Sequence, residues 1–144
     1  MKRKESMTLF ALITLCAGVA FAQQGVNLEV VVKNVKGTKG NIRVGLFTNE
    51  ESFLKTPAEG KIVKATEGTV TVQFTDLNPG DYAISVIHDA NENGKLDSNG
   101  LGIPKEGFAF GNNAMGSFGP PSFEKAKVAV TAESLTCTVD MKYY

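Results

Sequence analysis

Strict alternation of apolar and polar residues over short stretches is the feature that most restricts how this chain folds. Val70, Val72 and Phe74 alternate with threonine and glutamine, a pattern typical of a half-buried β-strand, whose successive side chains point to opposite faces. Together with six similar stretches, the predicted strands lie at 26–32, 42–46, 62–65, 70–74, 82–86, 126–130 and 135–141. Seven short strands with almost no helical pattern predict an all-β fold, a single seven-stranded antiparallel β-sandwich, with a β-barrel as the alternative.

Turn residues between the strands predict how the chain connects them. The glycine-containing segment 36–41 separates the first two strands and predicts a β-hairpin. The segment 77–82 reads LNPGDY, in which proline presets φ for a turn and glycine tolerates positive φ after it. We therefore expect Leu77 and Tyr82 to enter the core from the two sides of this turn. The corner resembles that of transthyretin-like, or prealbumin-like, sandwiches, which resemble immunoglobulin domains in architecture.

The first 22 residues have the three parts of a secretory signal peptide. A basic start at 2–4 precedes a largely apolar run at 7–19, and small residues at 20 and 22 fit a cleavage site. The apolar run is too short to span a membrane. We expect cleavage after residue 22, export to the periplasm or the extracellular space, and one mature domain at residues 23–144.

The composition of the mature chain excludes several classes of protein. Removing the segment, with its three basic and one acidic residues, leaves 12 basic and 14 acidic residues, so we expect no nucleic-acid partner. Only Cys137 remains, which rules out an internal disulfide, and its phase with Val139 predicts a core position. We expect no membrane-spanning segment. The partner is unknown from the sequence; a glycan, a peptide and an envelope protein remain open.

An acidic, amide-rich loop follows the fifth predicted strand. Asp89, Asn91 and Asn93 stand at alternate positions and Gly94 follows, which matches the first half of the calcium-loop pattern D-x-[DN]-x-[DN]-G. Side chains at alternate positions of a curled loop converge on one point, and calcium takes about six to eight oxygen ligands. The predicted calcium ligands are Asp89, Asn91, Asn93, the backbone carbonyl of Lys95, and Asp97.

The match to a calcium loop is incomplete. The twelfth position, which carries a bidentate glutamate in a complete loop, is Gly100. With two carboxylates, we expect weak affinity, with a Kd of roughly 10⁻⁴–10⁻³ M. The alternative is a turn that binds no ion, because Asn-Gly at 93–94 is a strong turn signal.

His88 is the only histidine of the chain and continues the inward phase of the strand at 82–86. In one interpretation it is a base that acts with Asp89 or Glu106 in a hydrolase. In the other it is a hydrogen-bonded structural residue at a strand end. No recognisable nucleophile motif lies near it. The sequence therefore favours a non-enzymatic module, with a hydrolase and a structural domain without ligand as alternatives.

Residues 101–123 are rich in glycine, proline and phenylalanine and show little periodicity. Long loops without regular structure are uncommon in compact domains and are often functional. We expect this segment to fold over one end of the sandwich with some phenylalanines buried. In the alternative, it forms the rim of a binding pocket beside the Asp89 loop, with Asn112 and Asn113 as polar contacts.

Three segments of the chain carry a resemblance to a known family. DANENGKLD at 89–97, GIPKEG at 102–107 and GPPSFE at 119–124 resemble the signature of domain-of-unknown-function family 2141, a family of small exported bacterial proteins. The resemblance extends from about Val26 to the C-terminus. It implies a one-domain β-protein that carries a signal peptide, and it implies no activity.

Overall fold

The computed structural model describes residues 25–144, so the predicted signal peptide lies outside the described part. The eight strands of this part are β1 (Val26–Val35), β2 (Asn41–Phe47), β3 (Glu59–Lys64), β4 (Gly68–Leu77), β5 (Gly80–Asp89), β6 (Gly107–Phe110), β7 (Lys127–Val130) and β8 (Leu135–Asp140). A 3-10 turn, Gly111–Asn113, and a one-turn helix, α1 (Phe123–Ala126), lie between β6 and β7. The prediction of an all-β fold is confirmed.

The strands form two sheets. In the three-stranded sheet, of order β4-β1-β8, β1 is antiparallel to β4 and parallel to β8. In the other sheet the order is β3-β2-β5, and both β7 and β6 pair with the remaining edge of β5. β7 pairs with its first half and β6 with its second half. The prediction of purely antiparallel strands is therefore wrong for the β1–β8 pair, because the chain leaves β7 and enters the opposite sheet alongside β1.

Two further expectations are corrected. Segment 36–41 does not close a hairpin, since β1 and β2 belong to different sheets and this segment carries the chain from one to the other. Alternation shows which face of a strand is buried, but it does not show which strand is its neighbour. The second correction is β6, which lies inside the segment expected to lack regular structure. All four of its residues are buried, so its sequence shows no alternation.

The main core lies between the two sheets. Val30, Val32 and Phe74 of the three-stranded sheet are buried in one cluster with Ile42 and Ile84 of the other sheet. Leu77, Tyr82 and Cys137 belong to the same cluster, as predicted. These side chains show why alternation predicts the inner faces well: each strand contributes every second residue to a single apolar layer.

A second apolar cluster covers part of the outer face of the five-stranded sheet. It comprises Phe47, Phe53, Ala83, Phe108, Phe110, Phe123 and Ala126. The glycine-rich segment thus buries three of its phenylalanines, as expected, but it packs against a sheet face and not over one end of the sandwich. Within residues 25–144, no helix has both the length and the apolar character needed to cross a bilayer.

Candidate functional site

Asp89, the last residue of β5, holds the loop that follows this strand. Its side chain points away from the core because the neighbouring His88 points inward. The carboxylate is fully buried and accepts hydrogen bonds from the backbone N–H groups of Asn93 at 3.1 Å and Gly94 at 2.8 Å. Arg43 Nη1 on β2 lies 3.6 Å from Asp89 Oδ2. The Asp89 carboxylate therefore closes the first turn of the loop, and Arg43 on the neighbouring strand partly neutralises its charge.

Glu106 holds the two ends of the same loop together. It is buried just before β6, and its two carboxylate oxygens accept from the backbone N–H groups of Ala90 and Asp97, each at 3.0 Å. The backbone N–H of Lys105 donates to the carbonyl of Asp97 at 2.8 Å. The loop from Asp89 to Asp97 is thus tied at both ends to the start of β6. We call this segment, residues 89–97, the acidic loop.

Three polar side chains of the acidic loop converge. The amide groups of Asn91 and Asn93 both donate to Asp97 Oδ2, each at 2.7 Å. The Asn91 hydrogen bond above all, with that from Asn93 and the charges of Lys95 and Lys105, holds the pKa of Asp97 below its ordinary value of 3.8. Asp97 therefore stays ionised over the neutral range and presents a negative charge at the loop surface.

A groove lies on the outer face of the five-stranded sheet, beside the acidic loop. Its volume is about 1020 Å³. Gly60, Gly45 and Ser85 are paired in one row across β3, β2 and β5 and line the groove. These residues are small, so the floor of the groove is low at Gly60, whereas the Phe47 ring and Pro57 lie against Gly45, 3.1 Å and 3.5 Å from the position of an added Cβ.

The exposed apolar side chains of the protein are concentrated on this groove. Seven large apolar residues are exposed in the described chain: Leu54, Ile62, Leu101, Ile103, Met115, Phe118 and Tyr144. All seven line the groove. Single exposed apolar residues are normal on a protein surface, whereas a contiguous set marks a binding surface.

The charged side chains that line the groove all have the same sign. They are Arg43, Lys55 and Lys95, and among the described residues no aspartate or glutamate lines the groove. Lys61 also adjoins the groove, but its Nζ lies 5.6 Å from the centre of the ring of the core residue Phe74. The whole chain has a formal net charge of zero. The groove therefore combines an apolar surface with a local excess of positive charge.

The profile of one protein family matches residues 30–138, which cover most of the two sheets, the acidic loop and most of the groove. The family is described as "Uncharacterized protein conserved in bacteria (DUF2141)". The chain belongs to this family. Comparison with curated proteins found no match, and comparison with solved structures found none either. The transthyretin-like type of this DUF2141 domain thus stays a prediction.

The five predicted calcium ligands of this DUF2141 protein do not all lie in equivalent positions. The side chains of Asn91, Asn93 and Asp97 contact one another. The carboxylate of Asp89 instead accepts hydrogen bonds from the loop backbone and pairs with Arg43. The N–H of Lys95 donates to Asn93 Oδ1 at 3.1 Å. Both amides present N–H groups to Asp97, so calcium coordination requires them to rotate. Residues 25–144 contain no metal-holding group of three or more His, Cys, Asp and Glu. Calcium binding stays a prediction.

His88 lies on the opposite side of β5 from the acidic loop. It is buried, and Nε2 donates to the carbonyl of Lys39 at 2.8 Å, since a carbonyl oxygen can only accept. Nδ1 then accepts from Tyr143 Oη at 2.9 Å, and that oxygen accepts from the N–H of Lys36 at 3.0 Å. Burial raises the pKa of Tyr143. His88 therefore does not meet Asp89 or Glu106, and its geometry fits the structural interpretation.

Sequence reasoning located one rim of the groove and missed its floor. Residues 101–104 and 115–120 line the groove, as the pocket-rim alternative expected. Asn112 and Asn113 do not supply its polar contacts: their amide groups donate to the carbonyl of Lys127 at 2.7 Å and to Asp140 at 3.2 Å. Gly45, inside the predicted strand at 42–46, was the available signal for the floor, since a strand glycine often marks a close approach by a ligand or another backbone. Gly60 lies outside the predicted strand at 62–65 and gave no such signal.

Proposed function

We propose that this DUF2141 protein is an exported, non-enzymatic module that holds a small, elongated apolar ligand in the groove on its five-stranded sheet. The observation that carries this proposal is the position of the exposed apolar residues, all of which line one groove among the described residues. Its volume of about 1020 Å³ is at the upper end of the range of small-molecule sites, roughly 300–1,000 Å³.

The floor of the groove favours a small apolar molecule over a peptide. β2 and β5 are paired on both sides, so their backbone N–H and C=O groups are engaged in the sheet. A peptide lying across this floor would bring backbone polar groups that the floor does not satisfy, and each such group is costly to bury. An acyl chain brings no such groups. The hydrogen-bonded, buried state of His88 supports a binding role over the hydrolase alternative.

The substitution Gly60→Val tests the groove directly. An added Cβ at Gly60 would have its nearest neighbours at 3.8 Å and 3.9 Å, so valine fits without strain and raises the floor. We expect the variant to bind 8-anilinonaphthalene-1-sulfonate about tenfold more weakly, measured by fluorescence titration. A tenfold loss of affinity corresponds to about 1.4 kcal/mol of binding free energy, which is the contribution of fewer than two buried methylenes.

The control for Gly60→Val is Thr71→Val, which introduces a valine at an exposed position of β4, outside the groove, by exchanging a hydroxyl for a methyl group. Thr71→Val should leave the affinity for the dye unchanged. Equal affinities of Gly60→Val and the unaltered protein, or no saturable binding by the unaltered protein, would reject the groove as the site.

We also propose that calcium binds the acidic loop, which forms one side of the groove through Gly94, Lys95 and Leu96. The convergence of Asn91, Asn93 and Asp97 supports this proposal. Calcium at about a hundred times its Kd should add roughly 2.7 kcal/mol to the free energy of unfolding, which raises the melting temperature by about 10 °C.

Thermal unfolding with about 10–100 mM calcium, a hundred times the expected Kd, and with chelator measures this shift. Asp97→Asn should abolish it, whereas Asp76→Asn, which removes an equal charge at a distant exposed position, should retain it. Asp97 is preferred to Asp89 for this test because Asp89 also holds the loop backbone. An unchanged melting temperature in calcium would leave the acidic loop as a turn that binds no ion.

A further inference from the structure

We infer that the ligand of the groove is a long-chain carboxylate, whose carboxylate binds Arg43 and Lys95 while its acyl chain lies over Gly45 and Gly60. This inference rests on the proposed function, because it names the ligand class of the same groove. It adds the sign of the ligand's charge, the end at which the charged group binds, and the direction of the chain.

The charge of the groove favours an anionic ligand. Apart from Lys61, whose Nζ lies beside the core residue Phe74, the described groove lining contains three cationic side chains and no acidic one, although the chain as a whole is formally neutral. A cleft lined by one sign of charge between low-dielectric walls attracts ligands of the opposite sign. A neutral hydrocarbon would gain nothing from these cations, and they would oppose a cationic ligand. An anionic group on an apolar body matches both properties of the groove.

The anionic group binds at the end of the groove beside the acidic loop. Arg43 is about one-third exposed, and its contact with Asp89 at 3.6 Å holds it in place while most of its five N–H donors stay free for a carboxylate. Arg43 Nη2 lies 3.9 Å from the position of an added Cβ on Gly94, so Arg43 is adjacent to the segment that carries Lys95. Lys61 is engaged elsewhere, with Nζ 5.6 Å from the centre of the Phe74 ring.

A path for the acyl chain leads away from this cationic end. Gly45 follows Arg43 by two residues on the same face of β2, a distance of roughly 7 Å, and Gly60 is its partner on β3. Ile62 and Ile87, the partners of Arg43 on the two neighbouring strands, flank the start of the path. An unbranched chain that begins at Arg43 therefore passes along the Phe47 ring and Pro57, which lie against Gly45, and reaches Gly60, where the nearest neighbour of an added Cβ is at 3.8 Å.

The same observations disfavour the two other kinds of occupant. A second copy of the chain, docked groove to groove, would place the cations of both copies against each other, and such like-charge contacts are strongly unfavourable. A peptide would leave backbone groups unsatisfied on the paired sheet face, as argued above. An acyl carboxylate has one charged group, which the cationic end receives, and no further polar groups.

Calorimetric titration of the unaltered protein with decanoate and with decanol tests the inference, since the two probes share a chain length and differ in charge. We expect decanoate to bind about tenfold more tightly at low ionic strength, with a ratio that falls as salt is added. Acetate should not bind. Because the chain contains no tryptophan, Phe118→Trp places a single indole at the rim, and decanoate should shift its emission to shorter wavelength.

Charge reversal at one rim position separates the carboxylate from the chain. Lys95→Glu should weaken decanoate binding about tenfold and leave decanol binding unchanged, because a single repulsive contact replaces an attractive one. The matched control is Lys33→Glu, an exposed lysine of β1 in the other sheet, which should leave both affinities unchanged.

The possible outcomes distinguish this inference from the proposed function. Equal affinities for decanoate and decanol would overturn the carboxylate inference and leave the apolar groove as proposed. Binding of neither probe would overturn both. Self-association that shields the indole without ligand would assign the groove to a second copy. Binding of an acidic apolar peptide without decanoate binding would assign it to a peptide.

Discussion

Replacing Asp89 with alanine is expected to lower the free energy of unfolding by about 3 kcal/mol, because two hydrogen bonds to a buried carboxylate are lost together. The backbone N–H groups of Asn93 and Gly94 lose their acceptor, and the carboxylate they contact is fully buried. Arg43 also loses its ion pair, but its side chain is about one-third exposed, so solvent screens this charge and the ion pair adds little.

The control for Asp89→Ala lies on the same strand. Asp81, at the other end of β5, has an exposed carboxylate that pairs with Lys127 at 2.9 Å, and its replacement by alanine should cost less than about 1 kcal/mol. Urea unfolding followed by circular dichroism measures both variants. Similar losses in Asp89→Ala and Asp81→Ala would show that the Asp89 carboxylate does not hold the loop as the structure indicates.

Gly40→Ala is expected to destabilise the protein by about 3–4 kcal/mol, because the residue is constrained in two ways. Its φ is +70°, a left-handed conformation that costs an alanine roughly 1–2 kcal/mol. An added Cβ would also overlap the carbonyl oxygen of Asp89 and the backbone of Ala90. Relieving this overlap requires a shift of the segment where the acidic loop begins, and such overpacking costs roughly 1–3 kcal/mol.

Gly37→Ala separates the two contributions at Gly40. Gly37 has a similar φ of +82° in the same segment, and nothing lies within 4 Å of an added Cβ. It should therefore show only the backbone cost, about 1–2 kcal/mol. The difference between the two variants in thermal or urea unfolding measures the overlap with Asp89 and Ala90. If the two variants are equally stable, Gly40 does not pack against the acidic loop.

Much of the fold follows from local sequence signals. The alternation of Val70, Val72 and Phe74 with polar residues predicted the buried face of β4, and the LNPGDY turn predicted the burial of Leu77 and Tyr82. These predictions succeed because the preference of each side chain for the core or for solvent acts at its own position. The same reasoning placed Cys137 in the core, where burial raises the pKa of its thiol.

The features that the sequence did not reveal depend on contacts between distant segments. β1 pairs in parallel with β8, which follows it by about a hundred residues, and no local spacing specifies this neighbour. β6 is buried on both faces and lacks alternation. The hydrogen bonds of Glu106 to Ala90 and Asp97 join residues whose sequence separation has no pattern. Local preferences do not choose among such pairings.

The candidate site shows a different limit of sequence reasoning. Aspartate and asparagine at alternate positions can bind calcium through their oxygens, and they can also bond the backbone and one another in a tight turn. In the structure, Asp89 uses its oxygens for the backbone, and Asn91 donates its amide to Asp97. The same residue spacing serves both arrangements, so the sequence alone did not decide between them.

The two hydrogen bonds of Glu106 separate the rim of the groove from the core of the protein. His88 on β5 pairs directly with Gly107 on β6, so residues 89–106 leave the sheet and return to it at neighbouring points. Because the Glu106 carboxylate accepts hydrogen bonds from the backbone of Ala90 and of Asp97, residues 89–106 form an Ω-like loop that is stabilised by hydrogen bonds between its own residues. Its outer part, residues 98–104, carries side chains of the groove rim without contributing to the core cluster. Substitutions at the rim residues of this segment therefore change the surface of the groove without removing a side chain from the core cluster.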